Sequence, residues 1–210
     1  MIDRNEKIGI VDYGMSNSFS VISMVNRLGR NAKILKDTSE ISTEKKFILP
    51  GVGNFDNAIL NLKRLGWFDF FRAIDFKKKY YLFGFCVGMQ VLFSKSEEGK
   101  EDGLSLLEGE VLSLKKLQND KNIKIPAMGW KKVNFIKNNK IINNIDDETS
   151  FYFVHSYFCL PKDPNIIIGR SNHGHDYATI ISENNIYGTQ FHTEKSHKNG
   201  MHLMKNFLDL

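Results

Sequence analysis

Cysteine is scarce in this chain, with two among 210 residues. Cys86 and Cys159 lie far apart and match no zinc-ligand spacing. They exclude a disulfide framework and fit free thiols in a reducing compartment. Proline is also sparse, at 4 residues beside 16 glycines, which excludes collagen-like chains. Long apolar runs are missing too. The most apolar stretch, Tyr80 to Phe93, is interrupted by Gln90 and falls short of the ~18 residues that a membrane span needs. The N-terminal Met1-Ile-Asp-Arg-Asn-Glu-Lys7 has charges of both signs and lacks the apolar core of a signal peptide. A cytoplasmic protein that meets no membrane is expected. Nor is there a strong charge of one sign, since 29 basic and 24 acidic residues leave a formal net charge of +5. Lys77-Lys78-Lys79 is the longest basic run and the other basic pairs are scattered among acids, so no nucleic-acid partner is expected. What is present is ordinary: 41% hydrophobic and 25% charged residues, enough for one compact domain over 1–210.

The first half alternates short apolar runs with helical patterns. Ile8 to Val11, Ala32 to Leu35, Phe47 to Leu49 and Tyr80 to Phe85 read as strands. A helix capped by Ser16 or Ser18 is expected to turn Phe19, Ile22, Met24 and Val25 inward and to stop at Gly29. A second follows over about Phe55 to Leu65, with Gly66 beyond, and a third runs through Gln90 to Phe93. Strands alternating with helices predict a parallel sheet with right-handed crossovers. The second half is strand-like over Leu104 to Leu117, Val133 to Ile136, Phe151 to Phe158, Ile166 to Ile168 and Ala178 to Phe191, with turn residues such as Asn184-Asn185. A helix over about Met201 to Leu208 closes the chain. The expected fold is α/β, a parallel sheet with an antiparallel extension.

Three segments carry chemistry. Gly84-Phe-Cys86-Val-Gly88 has the small–x–nucleophile–x–small pattern of a strand-to-helix elbow. There the helix N-terminus favours a thiolate and the Val87 amide faces an oxyanion. On the pentapeptide alone, an inert buried thiol in a glycine turn fits equally well. Gly188-Thr-Gln-Phe-His192-Thr-Glu194-Lys-Ser196 supplies a base. In extended backbone His192 and Glu194 point to one side, so that the carboxylate orients the imidazole; a surface His beside a surface Glu is the plainer alternative. Pro50-Gly51-Val52-Gly53, directly after a strand, suits a loop of convergent N–H groups, although any tight strand-end turn reads alike. Of the other histidines, His197 and His202 suit the surface. His173 and His175 flank Gly174 in a turn-like sequence without further ligands to complete a metal site. Cys159, within Phe158-Cys-Leu160, reads as a packed thiol.

Taken together, Pro50 to Gly53, Gly84-Phe-Cys-Val-Gly-Met-Gln90, Phe151-Tyr-Phe-Val-His-Ser-Tyr157 and Gly188 to Ser196 resemble the class I (triad) glutamine amidotransferases. Within that class they resemble the HisH-type glutaminase subunits of imidazole glycerol phosphate synthases. Ser96-Glu-Glu-Gly99 and Pro126-Ala-Met-Gly-Trp130 belong to the same pattern, which runs in family order from Ile8 to Phe207. The resemblance implies a flavodoxin-like fold and a Cys86–His192–Glu194 triad. It implies glutamine held by Gly51, Val52, Gly53, Gln90, Glu98, Ser156 and Tyr157, with Val87 at the oxyanion, and no cofactor or metal. It also implies a HisF-type (β/α)8 cyclase as partner, docked through Met128, Trp130 and Lys131, and a role in histidine biosynthesis. A paralogue serving a HisF-like partner in surface-sugar amidation is the alternative.

Three positions depart from the family pattern. The usual Gly-Ile-Cys-Leu-Gly is Gly84-Phe-Cys-Val-Gly88, apolar for apolar. His-Pro-Glu is His192-Thr193-Glu194, which frees a φ angle beside the base. Pro-His-Met-Gly-Trp-Asn is Pro126-Ala-Met-Gly-Trp-Lys131, which puts a cation in a segment that the family turns toward its partner.

Overall fold

A computed structural model describes residues 7–117, 124–147 and 149–210; the charged stretch 1–6 lies outside them. In chain order the strands are β1 (Lys7–Val11), β2 (Asn31–Leu35), β3 (Lys46–Gly51), β4 (Tyr81–Cys86), β5 (Gly109–Ser113), β6 (Ala127–Lys132), β7 (Asn134–Phe135), β8 (Ser150–His155), β9 (Tyr157–Pro161), β10 (Ile167–Asn172), β11 (Asp176–Glu183) and β12 (Ile186–Thr189). The helices are α1 (Ser18–Arg27), α2 (Phe55–Arg64), α3 (Trp67–Ala73), α4 (Val87–Gln90) and α5 (His197–Leu208). The main sheet has the order β2-β1-β3-β4-β12-β11-β10-β7, and β5-β9 and β6-β8 form two-stranded sheets beside it. Strands β2 to β12 in that order run parallel, and β11, β10 and β7 extend the sheet antiparallel.

The central strands read as unbroken apolar runs because helices cover both faces, and the period-two pleat divides their side chains between two cores. Phe47, Leu49 and Leu82 join the core under α2 and α3. Ile48, Phe83 and Phe85 join the other, with Val21, Met24 and Val25 of α1 and Leu203, Met204 and Phe207 of α5. Phe47 sits edge-on to Trp67, Phe70 and Phe71. Among the described residues, no helix is long and apolar enough to cross a membrane.

Several elements differ from the sequence reading. Asn17, not a serine, caps α1 by accepting from the Ser20 N–H, and Phe19 points outward, 78% exposed. Two residues further on, Val21 takes the buried position, in phase with Met24 and Val25. Helix α3 was hidden because Gly66, left-handed at φ 79°, ends α2 and opens α3 at once. Strand β6 was hidden by Gly129 and its paired lysines. Helix α4 is a single turn. The Leu104–Leu117 run holds only β5 before a 3₁₀ turn. Phe151 to Phe158 breaks at Ser156 into β8 and β9, and Ala178 to Phe191 is a hairpin of β11 and β12.

The elbow region is packed backbone against backbone. A Cβ on Gly88 would stand 1.8 Å from the Leu49 carbonyl oxygen, whereas one on Gly29, at φ +70°, would meet nothing within 4 Å. Gly88→Ala is therefore expected to cost more than about 3 kcal/mol of folding stability, against about 1 kcal/mol for Gly29→Ala. Urea unfolding midpoints check this; equal costs would contradict the close approach of α4 to β3.

Candidate active site

Cys86 ends β4 and opens α4 with φ 52° and ψ −111°, a strained conformation that an L-residue holds only when its surroundings over-determine it. The glycines on either side make this possible: a Cβ on Gly84 would lie 2.4 Å from the Gly88 carbonyl oxygen. With one turn in α4, the expected helix dipole shrinks to the nearest amides. The Cys86 thiol points to the Val154 carbonyl at 3.7 Å.

His192 and Glu194 follow β12. The His192 Nδ1–H donates to Glu194 Oε1 at 2.9 Å, and their side chains are 4% and 3% exposed, so neither is a surface group. Their geometry is not the extended one expected. Thr193–Lys195 is a 3₁₀ turn, and the turn, not a strand pleat, brings the carboxylate back to the ring. With Nδ1 committed to Glu194, Nε2 faces Cys86. Burial opposes the charge on His192, but hydrogen bonding and charge from Cys86 and Glu194 outweigh it, lifting its pKa to about 10. His192 thus carries its second proton through the neutral range. The turn is pinned by the His192 N–H donating to the Tyr152 carbonyl at 2.9 Å and by Ser196 Oγ donating to the His192 carbonyl at 2.7 Å. At the position of the family proline, the buried Thr193 hydroxyl bonds that of Thr189 at 3.1 Å. This side-chain tie restrains what the missing ring would have fixed.

A cavity of about 320 Å³ opens on Cys86 and His192, lined also by Val52, Gly53, Val87, Gln90, Glu98, Ser156, Tyr157, Val154, His155, Pro126 and Lys195. Of the expected substrate residues only Gly51 is absent from the wall. It packs behind, where a Cβ would fall 2.5 Å from the Gly88 amide nitrogen and 2.6 Å from the Tyr13 hydroxyl. The Glu98 carboxylate accepts from the Phe55 N–H at the start of α2, at 2.8 Å. Burial, outweighing that bond, raises its pKa. One expected oxyanion donor is not aimed at the cavity: the Val52 N–H donates to the Met15 carbonyl at 2.7 Å.

His155, not singled out by sequence, is buried beside the cavity. Its Nδ1–H donates to the Tyr157 carbonyl at 2.8 Å, and its Nε2 accepts from the Tyr177 hydroxyl at 3.2 Å. Burial lowers its pKa to about 3. Between pH 6.5 and 3 the unfolded chain therefore binds a proton that the folded one refuses, and stability falls as pH falls. The slope is up to about 1.4 kcal/mol per pH unit. His155→Gln is expected to flatten the denaturation curve between pH 6.5 and 5; an unaltered slope would contradict a neutral buried imidazole.

The segment expected to face a partner is divided. On β6, Met128 and Trp130 are 60% and 48% exposed, so Trp130 is not core. Its ring stacks on His197 at 5.2 Å. Lys131 lies on the other face of the strand, where its Nζ donates to His173 Nδ1 at 3.2 Å and burial lowers its pKa. Strand alternation removes it from the Met128–Trp130 face. Cys159 is buried on β9. Among the described residues, no three His, Cys, Asp or Glu side chains are grouped to hold a metal ion.

The chain belongs to the glutamine amidotransferase class-I family, which it matches over residues 9–210. It is similar to a crystal structure of a glutamine amidotransferase (TM-score 0.72, 16% identity, covering 96% of this chain and 98% of that one). It is similar also to PurLQS from Thermotoga maritima (TM-score 0.68, 15% identity, covering 97% and 98%). Among its relatives, the imidazole glycerol phosphate synthase subunit HisH 2 of Methanococcus maripaludis is 42% identical over 96% of this chain and 98% of that protein. The HisH subunit of Leptospira borgpetersenii is 39% identical over 97% and 100%, and that of Moorella thermoacetica 40% identical over 97% and 94%.

Proposed function

We propose that this chain, acting as one amidotransferase domain over 1–210, is the glutaminase subunit of an imidazole glycerol phosphate synthase. The observation that carries the reading is the buried line from Cys86 through His192 to Glu194 on the wall of a cavity of about 320 Å³, room enough for glutamine. The full-length likeness to HisH subunits supports the choice of pathway. The Cys86 thiolate attacks the side-chain carboxamide carbon of glutamine, and the oxyanion takes hydrogen bonds from the Val87 amide and the Gly51–Gly53 loop. The His192 imidazolium gives its proton to the departing nitrogen, and ammonia leaves. Neutral His192 then takes a proton from water, which attacks the thioester. Glutamate leaves as the thiolate–imidazolium pair is restored. Glu194 orients the imidazole and stabilises its charge. Gln90, Glu98, Ser156 and Tyr157 hold the substrate.

In this conformation the Val52 amide is spent on Met15, so one oxyanion donor is withheld. This suits a glutaminase that waits for its synthase. The partner is a HisF-type (β/α)8 cyclase, which receives the ammonia. Met128, Trp130 and His197 offer it an exposed aromatic face; tryptophan is a frequent interface anchor. Lys131, turned toward His173, takes no part in that face, so its departure from the family pattern gives no ground for preferring a sugar-pathway partner. The test is to offer the histidine-pathway cyclase and any second HisF-like barrel separately. Binding and stimulated glutaminase with the first are expected. Silence with it, and activity with the other, would overturn the pathway.

A further inference from the structure

Apart from His192 and the Val154 carbonyl, a third polar group reaches the Cys86 sulfur. Gln190 lies between the end of β12 and His192 and is completely buried. A buried carboxamide needs acceptors for its NH₂ and a donor for its oxygen. Its orientation follows from its neighbours. The Tyr157 carbonyl only accepts, so the group that Gln90 presents to it at 3.1 Å is the Nε2 donor. The same Gln90 Nε2 lies 3.3 Å from Gln190 Oε1. This leaves Gln190 Nε2 toward Cys86 Sγ, at 3.8 Å.

We propose that Gln190 is a further catalytic residue, whose side-chain N–H holds the Cys86 thiolate in place and is itself aimed by the Tyr157–Gln90 chain. The proposal rests on the glutaminase reading and deepens it. The need is electrostatic. The Val154 carbonyl suits a thiol that donates to it, at 3.7 Å, but its oxygen repels a thiolate. A single helical turn at α4 supplies little compensating dipole. Gln190, itself completely buried, offers a donor whose bond to an anion is charge-assisted and strong. The other titratable groups that face Cys86 are His192, Tyr13 and Cys159, with Glu98, His155, Tyr157 and Lys195 on the cavity wall. Of these only His192 and Lys195 are cationic.

The test measures the rate of Cys86 alkylation by iodoacetamide from pH 5 to 9 on the full chain. Modified sites are resolved by mass spectrometry, with buried Cys159 as internal reference. In Gln190→Met the pH midpoint is expected to rise by about one unit, so that labelling on the acid side of the wild-type midpoint slows about tenfold. Gln190→Glu keeps the shape and the acceptor for Gln90 but faces the sulfur with a carboxylate, so its midpoint is expected to rise further. It carries the measurement if Gln190→Met does not fold. A packing role for Gln190 would lower the melting temperature and leave the midpoint in place; an unmoved midpoint in either folded variant overturns the proposal. Failure of the wild-type chain to hydrolyse glutamine, alone or with the cyclase, would overturn the glutaminase reading while leaving this measurement readable.

Discussion

Cys86→Ala is expected to reduce glutamate release from glutamine by about 10⁵-fold or more, the scale on which loss of a triad nucleophile acts. The synthase reaction fed with ammonium salts should survive, because the cyclase needs only the ammonia. His192→Ala should be as severe, and the double variant little worse, since the two act as a unit. Glu194→Ala should be less severe by tens of fold, because the carboxylate orients and does not react. Full release by Cys86→Ala would end the assignment of the nucleophile; loss of the ammonium-fed reaction would mean the substitution damages docking.

The second large effect concerns the loop after β3. Adding the cyclase with its nucleotide ligand is expected to raise glutamine hydrolysis about 10²–10³-fold, the worth of one oxyanion donor, about 2.7–4 kcal/mol. The donor is the Val52 amide, which must leave the Met15 carbonyl, at 2.7 Å here. Giving up that bond costs about 1 kcal/mol, which docking has to offset. Val52→Pro removes the N–H altogether and should bring the stimulated rate down to near the basal one. If stimulation persists in Val52→Pro, the switch lies elsewhere, with Gly53 or in the His192 turn as the places to look.

Much of this was legible in the residues. The parallel strands announced themselves as short β-branched and aromatic runs, and the elbow showed itself by glycines that the structure needs for contacts under 2.5 Å. The His192–Glu194 contact was foreseen, although from the wrong backbone: spacing alone does not distinguish a strand from a tight turn when both bring residues two apart together. Phe19 was misplaced because helical periodicity gives spacing but not phase, and Val21 shifts the buried stripe. Gln190 and His155 went unnoticed, though each is a polar residue inside an apolar strand run. Such a residue is costly unless paired, and that cost was the signal available. The engagement of the Val52 amide had no trace in the sequence, because it depends on where the Met15 carbonyl falls in the folded chain.

The most direct measurement of the central claim follows nitrogen from donor to product. The chain and its histidine-pathway cyclase are given glutamine labelled with ¹⁵N in the side-chain amide, in a buffer with excess unlabelled ammonium at neutral pH. The imidazole product is then weighed. Label in the new ring nitrogen, in wild type and not in Cys86→Ala, is the predicted result. Product carrying only unlabelled nitrogen, or no product with that cyclase, would contradict the account.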